Sequence, residues 1–280
     1  MKKYVFDYDF YLKFYPDIKK DILDTEAKSK EHYNKCGKKE KRVCCEDELN
    51  DIINTNVLLI KMQKEFLENM QFKNNIENKL NILLRTSMRP EFFNKCIESI
   101  LTQKYENYHI YICYDKIECL SYLKDYETNH SNITTFFVQN DSFEKYKFNL
   151  YNNELMNKVV DGFILFLDDD DIFSHDMCFK IINENIVDDD SILIWKFMRP
   201  DKLIYPKHIN DIKMGEIDTT SICFNSKYKD TSRWKDIQCG DFYFYSDLFK
   251  ELKQLSKFNI IKLNYILTKT IYYNKMCNSI

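Results

Sequence analysis

The sequence predicts an α/β protein built on a mostly parallel, doubly wound sheet with a helical N-terminal extension, and three observations carry that prediction. The continuous apolar run Phe163-Ile164-Leu165-Phe166-Leu167 has the pattern of a strand buried on both faces. Strand-like and helix-like stretches alternate from about residue 80 onward, the order of βα units feeding a parallel sheet. The apolar run ends abruptly in four consecutive carboxylates, Asp168, Asp169, Asp170 and Asp171. Ligands of open α/β sheets sit beyond the carboxyl ends of the strands, so acids at that pole face an expected site.

Residues 1–45 are aromatic and basic. They open Phe6-Asp7-Tyr8-Asp9-Phe10-Tyr11 and continue through Tyr15-Pro16-Asp17 to His32-Tyr33 and Gly37, the composition of a short helical module with its own aromatic cluster. Residues 46–79 carry Leu49, Ile52, Ile53, Val57, Ile60, Met62, Phe66, Leu67 and Met70 amid charge, which reads as a linker helix or a helix pair. The main domain, 80–280, begins with the short strand Ile82-Leu83-Leu84. Pro90 suits the first turn of the helix that follows, where Phe93, Cys96, Ile97, Ile100 and Leu101 recur at helical spacing. A second strand over 108–114 ends at Asp115, a third covers 133–138, and a helix over 150–160 leads into the acid-tipped strand. Ser174 is the expected N-cap of a helix over 175–186. Beyond it, 192–197 and 203–205 flank Arg199-Pro200-Asp201 as a hairpin, 219–224 reads as a strand, and 241–255 as an aromatic-rich helix.

The chain's 280 residues suffice for one principal domain plus an appendage, and hydrophobic content of 44% can fill its core. A formal net charge of -3 gives no general attraction to nucleic acid or anionic membrane. No apolar stretch approaches a membrane span and no signal-peptide core follows the N-terminal lysines, so a cytoplasmic location is expected, host cytoplasm if the source is a virus. The ten cysteines then read as reduced thiols. Cys36, Cys44 and Cys45 with His32 make a weak zinc candidate, since no Cys-x-x-Cys pair occurs. In a cytoplasmic setting the sequons at Asn129, Asn132 and Asn140 carry little meaning. Four glycines among abundant Lys, Asn, Ile and Tyr suggest an AT-biased genome.

Acids after a strand often do no more than start the next helix. Capping needs one carboxylate, however, and adjacent carboxylates repel, so a hard divalent cation bridging to a phosphate-bearing substrate is the economical reading of four. Asp188-Asp189-Asp190 serves as an internal control, because it precedes an apolar run and so reads as a solvated turn at a strand's amino end.

Taken together, these pieces resemble the A-type glycosyltransferases of glycosyltransferase family 2. The resemblance covers roughly residues 80–247. It rests on Ile82-Leu83-Leu84-Arg85-Thr86-Ser87-Met88-Arg89-Pro90 with the helix ending Glu98-Ser99-Ile100-Leu101-Thr102-Gln103, on Asp115, on Leu167 with the four acids, and on Gly240-Asp241-Phe242. It implies an enzyme moving a sugar from a nucleotide-sugar donor, UDP-linked by preference, to a glycan or protein hydroxyl with inversion. Asp168 is similar to the family acid that contacts ribose or metal, and Asp170 to the one that ligates Mn²⁺ or Mg²⁺. Asp169 holds the variable position beside the nucleotide, and Asp171 is placed to orient its neighbours. Asp115 matches the acid that reads the base, where a carboxylate can accept the uracil imide; a helix-capping role for it stays open. Thr86 and Arg89 lie where the family wraps the nucleotide, Arg89 meeting either phosphate or a structural carboxylate.

An inverting transfer needs a base for the acceptor hydroxyl. Asp241 is the candidate, with Asp236 and Asp247 as neighbours that could substitute; the family's commoner Glu-Asp is Gly240-Asp241 here. Trp234 is either an acceptor-stacking ring or a core residue. The N-terminal segment is similar to a short helical module attached to some bacterial and large-virus glycosyltransferases, with acceptor binding, homo-oligomer formation or packing as its alternatives. Two rivals remain. A catalytically degenerate scaffold would bind glycan or protein, and a sugar-phosphate nucleotidyltransferase would want a Gly-rich phosphate loop that this chain lacks.

Overall fold

The computed structural model describes residues 4–15, 25–38, 42–70, 72, 76–139, 145–207, 209, 213–255 and 258–271. Pro16 and Asp17 of the N-terminal pattern and the Asn140 sequon lie outside them. The chain forms two compact units. One holds the described residues up to Lys61 together with Asp201–Leu203; the other comprises Met62–Pro200 and continues from Ile204.

In the first unit, α1 (Tyr8–Phe14) starts at Asp7, whose carboxylate accepts from the Phe10 amide, and α2 (Glu26–His32) starts at Thr25, capped on the Lys28 amide. A π-helical turn, Tyr33–Gly37, follows α2. The aromatic residues gather around Tyr11, which is fully buried against Phe6, Tyr15 and Tyr33 at ring separations of 5.1, 5.1 and 5.6 Å. Its hydroxyl lies 3.2 Å from His32 Nδ1. The helix α3 (Glu46–Glu68) is one continuous element, of which the residues up to Lys61 belong to this unit; its first turn carries Glu46, Asp47 and Glu48, which suit the positive end of the helix dipole.

In the second unit nine strands form one mixed sheet in the order β3-β2-β1-β4-β8-β6-β9-β5, with β7 on β6. They are β1 (Leu80–Thr86), β2 (Tyr108–Tyr114), β3 (Ile133–Phe137), β4 (Phe163–Asp168), β5 (Asp171–Phe173), β6 (Ser191–Met198), β7 (Ile204–Tyr205), β8 (Ile222–Asn225) and β9 (Asn259–Thr270). The pairs β1·β2, β2·β3, β1·β4 and β6·β9 are parallel, whereas β8, β7 and β5 run against their neighbours. The helices are α4 (Pro90–Leu101), α5 (Leu120–Asn129), α6 (Tyr151–Lys158), α7 (Cys178–Asn185) and α8 (Gly240–Leu255).

Alternation along the central strands fills both faces. Leu80, Ile82 and Leu84 of β1 and Phe163, Leu165 and Leu167 of β4 pack with Phe93, Ile97 and Ile100 of α4 and with Phe179 and Ile182 of α7. Leu83, Ile164 and Phe166 point the other way, toward Leu155 and Met156 of α6 and Phe244 and Leu248 of α8. The unbroken apolar run at 163–167 is therefore the signature of a strand covered on both sides.

The structure corrects several sequence expectations. Ser174 is not an N-cap. The acids run directly into β5, which pairs antiparallel with β9, so the backbone is still in the sheet when Ser174 is reached and its hydroxyl donates to the Ile266 carbonyl at 2.6 Å. The following helix starts only at Cys178. Both β5 and β9 escape a periodicity reading, the first because it has three residues, the second because its polar and apolar positions do not alternate cleanly. The Asp188-Asp189-Asp190 triplet does occupy a turn, but Asp190 also accepts from Lys227 Nζ and the Tyr228 hydroxyl.

Gly162 turns the chain into β4 with φ of +80°, and a Cβ there would stand 2.5 Å from the Lys79 carbonyl oxygen. Gly162→Ala thus combines left-handed strain with a backbone collision, and it is expected to cost about 1 kcal/mol or more in urea unfolding. An unchanged midpoint would show that the entry into β4 tolerates a side chain.

Candidate active site

The parallel register between β1 and β4 sets Arg85 beside Asp168. Arg85 Nη2 donates to Asp168 Oδ2 at 2.7 Å, and Nε stands 2.5 Å from Oδ1 without the alignment of a hydrogen bond. Both carboxylate oxygens of Asp168 thus face the Arg85 guanidinium. One residue on, Asp169 is fully buried and receives the Thr86 hydroxyl at 2.7 Å and the Arg89 guanidinium. Arg89 Nη1 also reaches Asp170 Oδ2 at 3.2 Å. Among the expected nucleotide-wrapping groups, Thr86 and Arg89 are engaged with carboxylates of the cluster, which for Arg89 is the second of its two readings.

Asp171, at the start of β5, is 3% exposed, and its Oδ1 has no hydrogen-bond partner among the described residues. Carboxylate oxygens of Asp168, Asp170 and Asp171 lie within 4.8 Å of one another. Burial raises Asp170, with Asp168 adding to the shift and Arg89 opposing it. Burial likewise pushes Asp171 well up, reinforced by Asp218 and Asp170. The orphaned buried oxygen of Asp171, beside the carboxylates of Asp168 and Asp170, makes a donor set that fits a hard divalent cation such as Mg²⁺ or Mn²⁺.

Asp218 carries no site signal in the sequence, where it sits in a loop before β8. Burial holds it at about 6, Asp168 adding in the same direction and the Thr220 amide opposing. Its Oδ1 accepts from the amide and hydroxyl of Thr220, both at 3.2 Å. Asp241 occupies the first turn of α8, partly exposed, with Oδ1 accepting from the Phe242 amide at 2.8 Å. Burial raises it to about 7, and the Asp218 and Asp168 carboxylates strengthen the shift against that amide and Arg85. Asp169 is raised to about 6, again chiefly by burial, against the pull of Arg89 and Thr86. These carboxylates sense one another, which places β4, β5, the loop before β8 and the start of α8 at one site.

Two non-glycine residues with left-handed backbone flank it: Met88, at φ 52°, directly precedes Arg89, and Cys239, at φ 55°, directly precedes α8. Such strain concentrates where surrounding structure overrides local preference.

Asp115 lies beyond β2. Its Oδ2 accepts from the Tyr151 hydroxyl at 3.1 Å, while its Oδ1 is buried without a partner among the described residues. It does not cap the helical turn Ile117–Cys119, which lacks a side-chain cap. Asp236 instead accepts from the Tyr146 amide at 2.9 Å, and Asp247 pairs with Lys235 at 2.6 Å, so these two neighbours of Asp241 have structural partners. Trp234 is a core residue. It is 2% exposed, stacked on Phe244 at 4.7 Å and edge-on to Phe166, so it presents no open face to a sugar. The Trp signal misleads because indole serves cores and sugar platforms alike, and only burial separates the two.

The sheet, its covering helices and the acid-tipped strand have the A-type glycosyltransferase fold. Among solved structures the chain is similar to S. aureus TarS, with 14% identity and a TM-score of 0.57 over 69% of this chain and 37% of that one. It is likewise similar to S. aureus TarS 1–349 in complex with UDP-GlcNAc (13%, 0.57, 72% and 61%) and to the mannosyltransferase PcManGT from Pyrobaculum calidifontis in complex with GDP-Man and Mn²⁺ (8%, 0.52, 81% and 68%). At these identities the likeness shows the fold alone, and the chain spans well under two thirds of TarS. No protein-family model and no curated sequence matches the chain.

The raised carboxyls make a stability prediction. The folded state holds protons on Asp169, Asp218 and Asp241 up to about 6, 6 and 7, above the ordinary value of 3.8, so it binds more protons than the unfolded chain in that window. Stability in a chelator should therefore fall as pH rises from about 4 to about 7. Adding Mn²⁺ at pH 7.5 should raise the melting temperature, and Asp170→Asn should abolish that gain while raising the metal-free melting temperature by relieving repulsion. A variant stabilised by Mn²⁺ as much as the wild type would remove Asp170 from the cation site.

Proposed function

We propose that this protein is a metal-dependent glycosyltransferase of the family 2 type, taking a UDP-sugar and transferring the sugar with inversion to a glycan or protein hydroxyl. The observation that carries the reading is the donor set at the end of β4, where Asp168, Asp170 and Asp171 offer carboxylate oxygens within 4.8 Å of one another and the buried Asp171 Oδ1 has no hydrogen-bond partner among the described residues. These three residues would hold Mn²⁺ or Mg²⁺, which when bound supplies Lewis-acid neutralisation of the leaving diphosphate. Support also comes from the complexes of fold neighbours with UDP-GlcNAc, and with GDP-Man and Mn²⁺.

The chain's own residues take the remaining roles. Asp115 would accept the imide of uracil, with Tyr151 fixing one of its carboxylate oxygens. Arg85 and Arg89 hold the acids in orientation. Asp241 has the proton affinity of a base working near neutrality, about 7, and takes the proton of the acceptor hydroxyl. Gly240 in place of an acid does not remove that base, because Asp241 itself is retained.

Calorimetric titration with UDP, with and without Mn²⁺ and against GDP and CMP, tests the reading. UDP binding that requires metal is the expected outcome; absence of binding by every nucleotide under both conditions would overturn it. In a donor-turnover assay Asp241→Asn should lower kcat by about 100-fold or more with donor affinity retained, and the wild-type rate should climb as pH passes through about 7. Wild-type turnover by Asp241→Asn would clear Asp241 of the base role.

A further inference from the structure

The segment that delivers Asp241 to the site is bound side by side to the segment that holds Arg85. Between β3 and β4, residues 146–153 grip residues 234–237. The Tyr146 amide donates to Asp236 Oδ1 at 2.9 Å. Asn149 Nδ2 donates to the carbonyls of Lys235 at 3.3 Å and Ile237 at 2.9 Å. Asn153 and Trp234 exchange a reciprocal pair, Asn153 Nδ2 to Trp234 O and Trp234 N to Asn153 Oδ1, both 2.9 Å.

Asn149 alone among these faces both ways. Its Oδ1 lies 3.5 Å from Arg85 Nη1, the same nitrogen that donates to the Phe148 carbonyl at 2.9 Å, and Arg85 is the residue that clamps Asp168. The residue is 5% exposed, so its amide is held in place without competition from water. On its other side sits Gly240, the first residue of α8: a Cβ at that position would lie 2.4 Å from Asn149 Nδ2. The helix can therefore start this close to Asn149 only with glycine. That contact gives a physical reason for Gly240 directly before Asp241.

We propose that Asn149 is a positioning residue for the transfer reaction, tying the start of α8, and with it Asp241, to the Arg85–Asp168 pair at the end of β4. The inference rests on the glycosyltransferase reading. A base on a helix start and a donor at a strand end must keep their separation to a fraction of an ångström, and misplacement by about 1 Å can cost on the order of 100-fold in rate. Asn149 keeps that separation through two carbonyls on one side and a guanidinium on the other.

The test is a double-mutant cycle on the full chain, with UDP-GlcNAc and UDP-glucose turnover in Mn²⁺ and UDP calorimetry as readouts. Asn149→Ala should lower kcat by about 30- to 100-fold while the donor KM and the UDP affinity change by less than about threefold. Gly240→Ala should push on the same amide and give a similar kcat loss. Because Asn149→Ala removes the atom that Gly240→Ala collides with, the double variant should be no slower than Asn149→Ala alone. Wild-type kcat in folded Asn149→Ala overturns the inference, as do kcat losses that multiply in the double variant. If Asn149→Ala does not fold, a Gly240→Ala chain that folds and turns over at the wild-type rate overturns it instead. Failure of the parent reading looks different: the wild-type chain then binds no UDP, and the catalytic meaning of the contact goes with it.

Discussion

Like charge crowded into a low-dielectric strand end is the constraint on which the rest of this structure depends. Asp168 to Asp171 arrive together because they are consecutive in the chain, and the loop before β8 and the start of α8 add Asp218 and Asp241. An isolated buried carboxylate cannot stay ionised cheaply, so each must find a cation, find hydrogen-bond donors or keep a proton. The fold uses all three. Arg85 serves Asp168, and Arg89 serves Asp169 and Asp170. Thr220 supports Asp218, while Asp169, Asp218 and Asp241 retain protons to well above the usual carboxylate range.

Asp169 and Asp170 illustrate how neighbours in sequence are given different work. A strand end turns successive side chains to different surroundings. Asp169 is driven inward to Thr86 and Arg89 and becomes part of the frame. Asp170 accepts from one Arg89 nitrogen and, with Asp168 and Asp171, keeps oxygens close enough to share one ion. The frame therefore absorbs part of the negative charge internally and leaves the remainder focused on one point. That electrostatic arrangement suits a hard divalent cation.

Much of this is legible in the order of the residues alone. The pentapeptide ending at Leu167 announces a strand covered on both faces, and the abrupt change to Asp168 announces the carboxyl-end site, because burial and charge exclude each other so sharply along a chain. The pairs Leu83 with Leu84 and Ile164 with Leu165 show the physical basis: each neighbour goes to an opposite core layer, so no polar face is needed. Arg85 is less legible. In sequence it is one more residue of a strand-end motif, and only the register of β1 against β4 makes it the partner of Asp168. Asp218 carries no signal at all, since a lone acid in a polar loop is the commonest pattern in any sequence.

The sequence by itself determined the fold class, the strand that bears the acids and the end of the sheet at which the carboxylates gather. All three follow from local apolar patterning and from the polarity of parallel strands. Tertiary structure alone decided which acids remain open and which are tied up, and that Trp234 is core. It also decided that Ser174 belongs to the sheet edge, and that Asn149 meets Gly240. Those outcomes depend on which distant segments are brought within about 3 Å of one another, the reach of a hydrogen bond, and nothing in the spacing of residues along one chain encodes that meeting.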